Sequence, residues 1–436
     1  MTELRVGLLG LGTIGTGVAR ILIEQKELIS RRLGKQVILV AAADRDLGRD
    51  RGLDFTGVRL VDDANDIVTA DDIDLVVELI GGYEPARSFV IKALEHGKHV
   101  VTANKALIAK HGEELFPLAA AKGLQIGFEA AVGGGIPCLK ALREGLAANA
   151  IASVYGILNG TCNFILTKME NEGASYANVL KEAQKLGYAE ADPSFDVEGI
   201  DTAQKLAILA AMAFGSKIKF DDVYTEGVSN ITANDIESAF EMGYRIKLLG
   251  IAKPHGDQIE MRVHPTLVSL TSQMAQVSDS YNAVQITGDF VENTMYVGRG
   301  AGERPTASAV VADVMDICSG FPDGIAHLAP PMGFVESSRK DIKTMAMADA
   351  ECEYYIRLMV KDQPGVIAAV TSILADHRIS LEALTQKERD TGHNVAIIML
   401  THTTAEGNMQ AAISRIIGLE AVEEDVLILR KESAVA

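Results

Sequence analysis

Cysteine is scarce in this chain of 436 residues, and the four that occur stand far apart. Cys138, Cys162, Cys318 and Cys352 form no CxxC pair and have no histidine at ligand spacing. That argues against a disulfide framework and against a structural zinc site. Long apolar runs are lacking too: none approaches the ~18 residues of a membrane span. The start, "MTELRVGLLG", has neither the basic segment nor the following apolar segment of a secretory signal. The expectation is a cytoplasmic protein with no membrane partner. Positive charge is in deficit, with Lys+Arg 41 against Asp+Glu 59 and a net charge of -18. Such a field repels nucleic acid, so no nucleic-acid partner is expected. It does not exclude an anionic cofactor, because a helix N-terminus can outweigh the global charge locally. Internal repeats and low-complexity tracts are also missing.

What is present is a packed globular composition, 48% hydrophobic and 23% charged. The length suggests two to four domains at ~100–200 residues each. In the first third, strand-like runs alternate with helical patterns. "LRVGLLG", "VILVAAAD", "IDLVVELIG" and "KHVVTAN" read as strands, "TGVARILIEQKELI" and "ARSFVIKALEHG" as helices. This predicts a parallel sheet with helices on both faces. From about residue 130 a Gly-rich loop, "AAVGGGIP", opens a mixed α+β region. "GFVESSRKDIKTMAMADAECE" reads as a linker. Beyond it the order βαββαβ predicts a small ferredoxin-like sheet. The fold class is therefore α/β: a Rossmann-type parallel sheet over 1–130, an α+β domain over 131–335, for which the resemblance given below implies catalysis and dimerisation, and a ferredoxin-like domain over 353–436.

Gly10-Leu11-Gly12-Thr13-Ile14-Gly15 fits GxGxxG between a predicted strand and a predicted helix, the context that makes the motif specific for a dinucleotide. Gly10 permits the tight turn, Gly12 lets backbone approach the pyrophosphate, and Gly15 lets helix and strand pack closely. Asp44 and Arg45 end the second strand. An acid there suits the ribose of NAD and an arginine suits the 2′-phosphate of NADP, so the pair leaves the preference open. Lys105 follows another strand of this sheet, beyond the carboxyl end where ligands sit. A surface lysine opening a helix is the plainer reading.

The densest chemistry lies in "YAEADPSFDVEGIDTAQK", where Glu190, Asp192, Asp196, Glu198 and Asp201 precede Lys205. Gly187 can end the preceding helix, and Asp196 is expected to cap the next. Asp201 and Lys205, four apart, share a helical face. The pattern after Lys205 is apolar nearly all round, which predicts a buried helix. A solvated acidic face would account for the charges alone, but a lysine at the mouth of a buried helix points to function.

The stretch "AQKLGYAEADPSFDVEGIDTAQK" resembles the signature of the homoserine dehydrogenase family. "GLLGLGTIGTGV", "TANKALIAKHG", "FEAAVGGGIP", "ILNGTCNFIL" and "GAGERPTASAVVADV" resemble further blocks of it, and "KDQPGVIAAVTSILADHRISLEAL" resembles an ACT regulatory domain. The resemblance covers the whole chain. It implies interconversion of L-homoserine and L-aspartate 4-semialdehyde with NAD or NADP. Lys205 then matches the catalytic lysine, Asp201 its partner, and Lys105 a second active-site lysine. Glu190 and Asp196 match substrate-binding positions, and Thr13, Ile14 and Arg45 cofactor positions. Glu129, Val132, Gly134 and Ile136 match a monovalent-cation site for Na+ or K+. Asp362, Gly365 and Val366 fall in the ACT effector loop, with L-threonine the effector that the pathway suggests. A homodimer or homotetramer is implied. Another nicotinamide-dependent dehydrogenase would share the Gly-rich loop but not the signature. A non-catalytic sensor would have lost Lys105, Glu190, Asp201 and Lys205, all of which are present.

Overall fold

The apolar runs of the first third become six strands in a computed structural model, which describes residues 2–322, 329–386 and 394–432. They are β1 (Glu3–Leu9), β2 (Gln36–Ala43), β3 (Arg59–Val61), β4 (Leu75–Glu78), β5 (His99–Thr102) and β6 (Ile126–Gly127). All pair in parallel, in the order β3-β2-β1-β4-β5-β6. This 3-2-1-4-5-6 order places a switch point between β1 and β4, where a dinucleotide sits in doubly wound sheets. The helices between them are α1 (Thr13–Glu24), α2 (Lys26–Leu33), α3 (Asn65–Val68), α4 (Ala86–Glu95) and α5 (Lys105–Ala121). The single first helix expected from the sequence is two, because Gln25 (φ -104, ψ 15) leaves helical geometry. Gly34, at φ 66, closes the second.

Contacts divide the chain into two units, each built from separated segments. The first holds the parallel sheet, residues 203–223 and residues 281–342. Its core joins Leu4, Val6, Leu8, Leu75 and Val77 of the strands to Val18 and Leu22 of α1. Val310 and Val314 of the later helix Glu303–Gly320 complete it. The same unit pairs strand Ile151–Ile157 with Tyr281–Gly288, and that strand with Glu292–Arg299, all antiparallel.

The second unit contains residues 161–202, 224–280 and 343–436. Here Tyr244–His255 and Gln258–Ser269 form a long hairpin. The βαββαβ order of the tail is present as Glu351–Lys361, Val366–Asp376, Leu381–Gln386, Asn394–Thr401, Glu406–Ile417 and Val422–Lys431. The last strand pairs with the first, the first with the third, and the third with the second, as in a ferredoxin-like sheet. Val370, Leu374, Met409 and Ile413 of its helices pack on Ile356, Leu358 and Met399 of its strands. The last strand also pairs in parallel with the hairpin through Thr266↔Arg430 and Leu267↔Lys431. The stretch expected to be only a linker carries a two-residue strand, Lys343–Thr344, on Gln258–Ile259. Lys387 and Glu388 of the expected second strand, and residues 433–436 of the expected third domain, lie outside the described residues.

Candidate functional site

The Gly-rich loop has the backbone its motif predicts. Gly10 has φ +93, a conformation open to glycine, and its N–H reaches the Ala43 carbonyl at 2.8 Å. A Cβ on Gly15 would lie 1.9 Å from the Gly10 carbonyl oxygen, so only glycine lets α1 start this close to β1. A Cβ on Gly12 would meet nothing within 4 Å. Gly12 caps α1 and, with Thr13, is exposed, while Ile14 is half-buried. The loop borders a cavity of about 760 Å³ lined by Gly10, Gly12, Asp44, Arg45, Ile80 and Phe89, among others. Open backbone at a helix N-terminus beside such a cavity fits a dinucleotide's pyrophosphate.

Lys105 is half-buried at the start of α5. No motif in the sequence signals what holds this corner. Glu78, fully buried, accepts the Thr102 hydroxyl (2.6 Å) and the N–H groups of Ile80 (2.8 Å) and Gly81 (3.1 Å). Thr102 Oγ1 accepts the Asn104 N–H at 2.9 Å. Asn104 in turn accepts from the Leu107 N–H, 3.1 Å, and caps α5. The ends of β4 and β5 are thereby fixed together.

Lys205 lies in the predicted buried helix, Ile200–Phe214. It is 8% exposed, and its Nζ donates to the Leu158 carbonyl at 2.7 Å. Asp201, 4% exposed, stands one turn earlier on the same helix. Two neighbours that sequence reasoning passed over, Thr202 through Oγ1 and Gln204 through Oε1, have buried oxygens with no hydrogen-bond partner among the described residues. Buried polar atoms are normally satisfied, so these are candidates to meet substrate or water.

The acidic stretch before the helix belongs to the second unit. Asp196 does not cap the long helix. It sits inside a separate turn, Ser194–Val197, because Gly199 at φ +84 breaks the chain before Ile200. Asp192 starts that turn by accepting the Ser194 N–H at 3.1 Å. Gly187, at φ +76, ends the preceding helix as expected. The stretch is held by "NGTC": the Thr161 hydroxyl donates to the Tyr188 carbonyl at 2.6 Å, and the Cys162 thiol to the Asp196 carbonyl at 3.3 Å. Glu190 is exposed and Asp196 half-buried.

Glu129, 3% exposed, accepts the N–H groups of Leu139 (3.0 Å) and Lys140 (2.7 Å). Burial and the nearby Asp313 push its carboxyl up to about 8. Asp313, itself pushed up to about 7 chiefly by burial, accepts the Glu129 N–H at 2.8 Å. The carbonyl of Val132 accepts the Cys138 thiol at 3.6 Å, and that of Ile136 the Cys138 N–H at 2.8 Å. Gly134, at φ +54, packs on Gly300 so closely that a Cβ would lie 2.4 Å from its oxygen. Behind Gly300 is Asn282, fully buried, whose carboxamide has no partner among the described residues. Buried carboxyl and carbonyl oxygens of this kind suit a hard cation, whose charge would take the place of the carboxyl proton. In the tail, Gly365 (φ +96) opens the helix beginning at Val366, just after Asp362, and its outer face is clear of other atoms.

Comparison with known proteins agrees over the full length. The family description "Homoserine dehydrogenase" matches residues 137–315, "Homoserine dehydrogenase, NAD binding domain" residues 10–129, and "ACT domain" residues 354–421. The chain is 46% identical to a homoserine dehydrogenase of Neisseria gonorrhoeae over 433 residues, covering 99% of each chain. It is 45% identical to that of Pseudomonas aeruginosa over 435 residues, again 99% of each. A crystal structure of a homoserine dehydrogenase from Thiobacillus denitrificans superposes with a TM-score of 0.94 at 50% identity, covering 99% of both chains. A hyperthermophilic archaeal homoserine dehydrogenase solved in complex with NADPH matches 74% of this chain and 99% of its own, with a TM-score of 0.63 at 26% identity.

Proposed function

The chain belongs to the homoserine dehydrogenase family and is an oxidoreductase with a nicotinamide cofactor, and from that premise we propose that Lys205 is its acid–base residue. Reduction of L-aspartate 4-semialdehyde to L-homoserine adds a hydride at the aldehyde carbon and a proton at its oxygen. The nicotinamide, when bound, supplies the hydride. Lys205 supplies the proton, and takes it back in the reverse direction. Asp201, one turn earlier on the same helix, is its proposed partner. Lys105 assists at the nicotinamide end of the parallel sheet, and Glu190 and Asp196 hold the substrate ammonium. The observation carrying the assignment is the buried Lys205 amine, held at 2.7 Å by a main-chain carbonyl and so fixed in direction.

The cofactor is held by Gly10, Gly12, Thr13, Ile14 and Gly15, with Arg45 toward the adenosine ribose. Support comes from the loop geometry and from the archaeal relative's NADPH complex. A Na+ or K+ ion is proposed at Glu129, Val132, Gly134 and Ile136, on the strength of the buried Glu129 carboxyl group and the carbonyl oxygens of the loop. The three-part organisation, 1–130, 131–335 and 353–436, is supported by the matched ranges. L-threonine is the proposed effector, at Asp362, Gly365 and Val366, where a helix N-terminus can take a carboxylate. A homodimer or homotetramer is proposed; Phe290, exposed in the turn of one hairpin, and Val297, exposed toward the other end of its second strand, support a covered face there.

One assay tests the core of this reading: homoserine-dependent reduction of NAD and of NADP, with and without threonine. Turnover with homoserine and loss of it with threonine are expected. No turnover with either cofactor would overturn the catalytic assignment. Indifference to threonine would overturn the effector and leave the tail an assembly role.

A further inference from the structure

The end of β2 presents a contradiction that an unanticipated residue resolves. Asp44 lines the cofactor cavity beside Arg45, with Asp62, Asp63 and Glu84. A bare carboxylate at the end of β2 favours the ribose hydroxyls of NAD and repels the 2′-phosphate of NADP. Asp44 is not bare. Its Oδ2 accepts the Leu11 N–H at 2.6 Å and its Oδ1 the Asp46 N–H at 2.9 Å. The Arg51 guanidinium lies 3.2 Å from Oδ1. The Arg51 side chain is only 4% exposed. Its Nε donates to the Leu11 carbonyl at 3.0 Å, and its terminal nitrogens donate to the carbonyls of Asp46 (2.7 Å) and Arg49 (2.9 Å). Both polar groups of the Leu11 peptide, inside GxGxxG, are thus held by this one ion pair. Arg45 is exposed and makes no hydrogen bond or ion pair among the described residues.

We propose that Arg51 sets the cofactor range of this enzyme: by neutralising Asp44 from behind the cavity, it stops that carboxylate from excluding a 2′-phosphate. Arg51 is a positioning and specificity residue that need not touch the cofactor. The division of labour follows from chemistry. The buried guanidinium has its donors directed to the Asp44 carboxylate and three carbonyls, so it cannot turn to a phosphate without breaking the loop. The exposed one has its donors available. The inference rests on the cofactor reading above, but not on its choice of Arg45 for the phosphate.

The test is a binding measurement, by fluorescence titration or calorimetry, of NAD and NADP on the full-length protein. The variants are Arg51→Met, Arg51→Lys, Asp44→Asn and the double variant Asp44→Asn/Arg51→Met. Uncovering the carboxylate in Arg51→Met should weaken NADP on the order of tenfold more than NAD. Removing the exposed charge in the double variant should restore the ratio of the two dissociation constants to within about threefold of the parent. Arg51→Lys keeps the charge and should hold the ratio while both affinities fall. Equal weakening of both cofactors by Arg51→Met, or no recovery of the ratio in the double variant, would show that Arg51 is scaffold only. If Arg51→Met does not fold, Arg51→Gln, which keeps a donor for the loop but loses the charge, decides in its place: it should weaken NADP more than NAD, and equal weakening would show a scaffold role. Arg45→Ala separates the two ideas: if it weakens NAD and NADP alike, the Arg45 assignment fails while the Arg51 ratios stand.

Discussion

Replacing Lys205 by methionine separates chemistry from architecture. Methionine fills the space of the lysine stem, so little cavity is left. What is lost includes one charged donor to the carbonyl of Leu158, a residue that is itself buried. An unsatisfied buried acceptor costs ~1–3 kcal/mol. Against the ~5–15 kcal/mol that holds a typical domain, the fold survives. Turnover should suffer far more: loss of a positioned acid–base group lowers it ~10²–10⁴-fold, about 3–5 kcal/mol in the barrier. The assay is kcat at saturating homoserine, alongside a cofactor titration and a thermal melt on the same preparation. The expected result is a small fall in melting temperature, near-parent cofactor affinity and a collapse of kcat. Lys205→Arg sharpens the test. Its guanidinium keeps the charge and a donor, but does not release a proton near neutral pH, so stability should hold while turnover is still lost. A Lys205→Met enzyme with kcat within about threefold of the parent would refute the assignment, because a positioned acid–base group typically contributes ~10²–10⁴-fold.

Gly12→Ala and Gly15→Ala should part company. The first has open space for its Cβ and should keep the melting temperature while weakening the cofactor; the second meets the Gly10 carbonyl at 1.9 Å and should lose both, with overpacking costing ~1–3 kcal/mol. Lys247 is buried, donates to Asn163 Oδ1 (2.9 Å) and the Val277 carbonyl (2.6 Å), and is pushed down to about 8, chiefly by burial. The native state therefore binds fewer protons than the unfolded chain between about pH 8 and 10.5, so this residue's contribution to stability rises with pH across that window, by ~3 kcal/mol in all. Denaturant unfolding at pH 7.5 and 10 should show that rise in the parent relative to Lys247→Met; parallel profiles would contradict it. Arg430, 2% exposed on its side chain, donates to both Glu406 oxygens (2.8 and 2.6 Å) and to Glu226 (2.7 Å). Arg430→Met should destabilise by ~3–5 kcal/mol by leaving the Glu406 charge buried without its cation, and Arg430→Met/Glu406→Gln should recover part of the lost melting temperature.

What the sequence made legible was local. GxGxxG, the strand–helix alternation, the βαββαβ tail and the buried helix after Lys205 are patterns over a few residues, and each is set by backbone geometry or by periodic burial. Gly15 is the clearest case, since its need for glycine arises from a residue five positions away. What stayed hidden depends on partners far along the chain. Asp313 reaches the Glu129 N–H across 184 residues, and Arg51 reaches the Leu11 carbonyl across 40. A charged residue in a polar stretch looks the same in sequence whether it is solvated or turned inward to carbonyls. Asp196 shows a different failure: a good capping residue was placed correctly by type, but Gly199 took the left-handed turn that ends its helix first.

The tail carries the most consequence. Its internal pattern announced a self-contained ferredoxin-like unit, whereas its last strand lies on the hairpin strand at Thr266 and Leu267 and sends Arg430 to Glu226. Glu226 adjoins Gly227, where a Cβ would lie 2.5 Å from the Val197 carbonyl, and Val228 donates to that carbonyl at 2.8 Å. The effector-type sheet and the turn that holds Asp196 thus share one run of tight backbone contacts. A chain cut near Ala350 would expose the hairpin edge and strip Glu226 of its guanidinium, so lost activity in such a chain would report on architecture as much as on regulation. Substitution at Gly365, whose φ of +96 disfavours any side chain and whose outer face is open, perturbs the effector loop while leaving the Arg430 pairings in place. Gly365→Val should therefore reduce threonine sensitivity with kcat near the parent value, measured as the threonine concentration for half-inhibition. Unchanged sensitivity would remove this loop from the effector site.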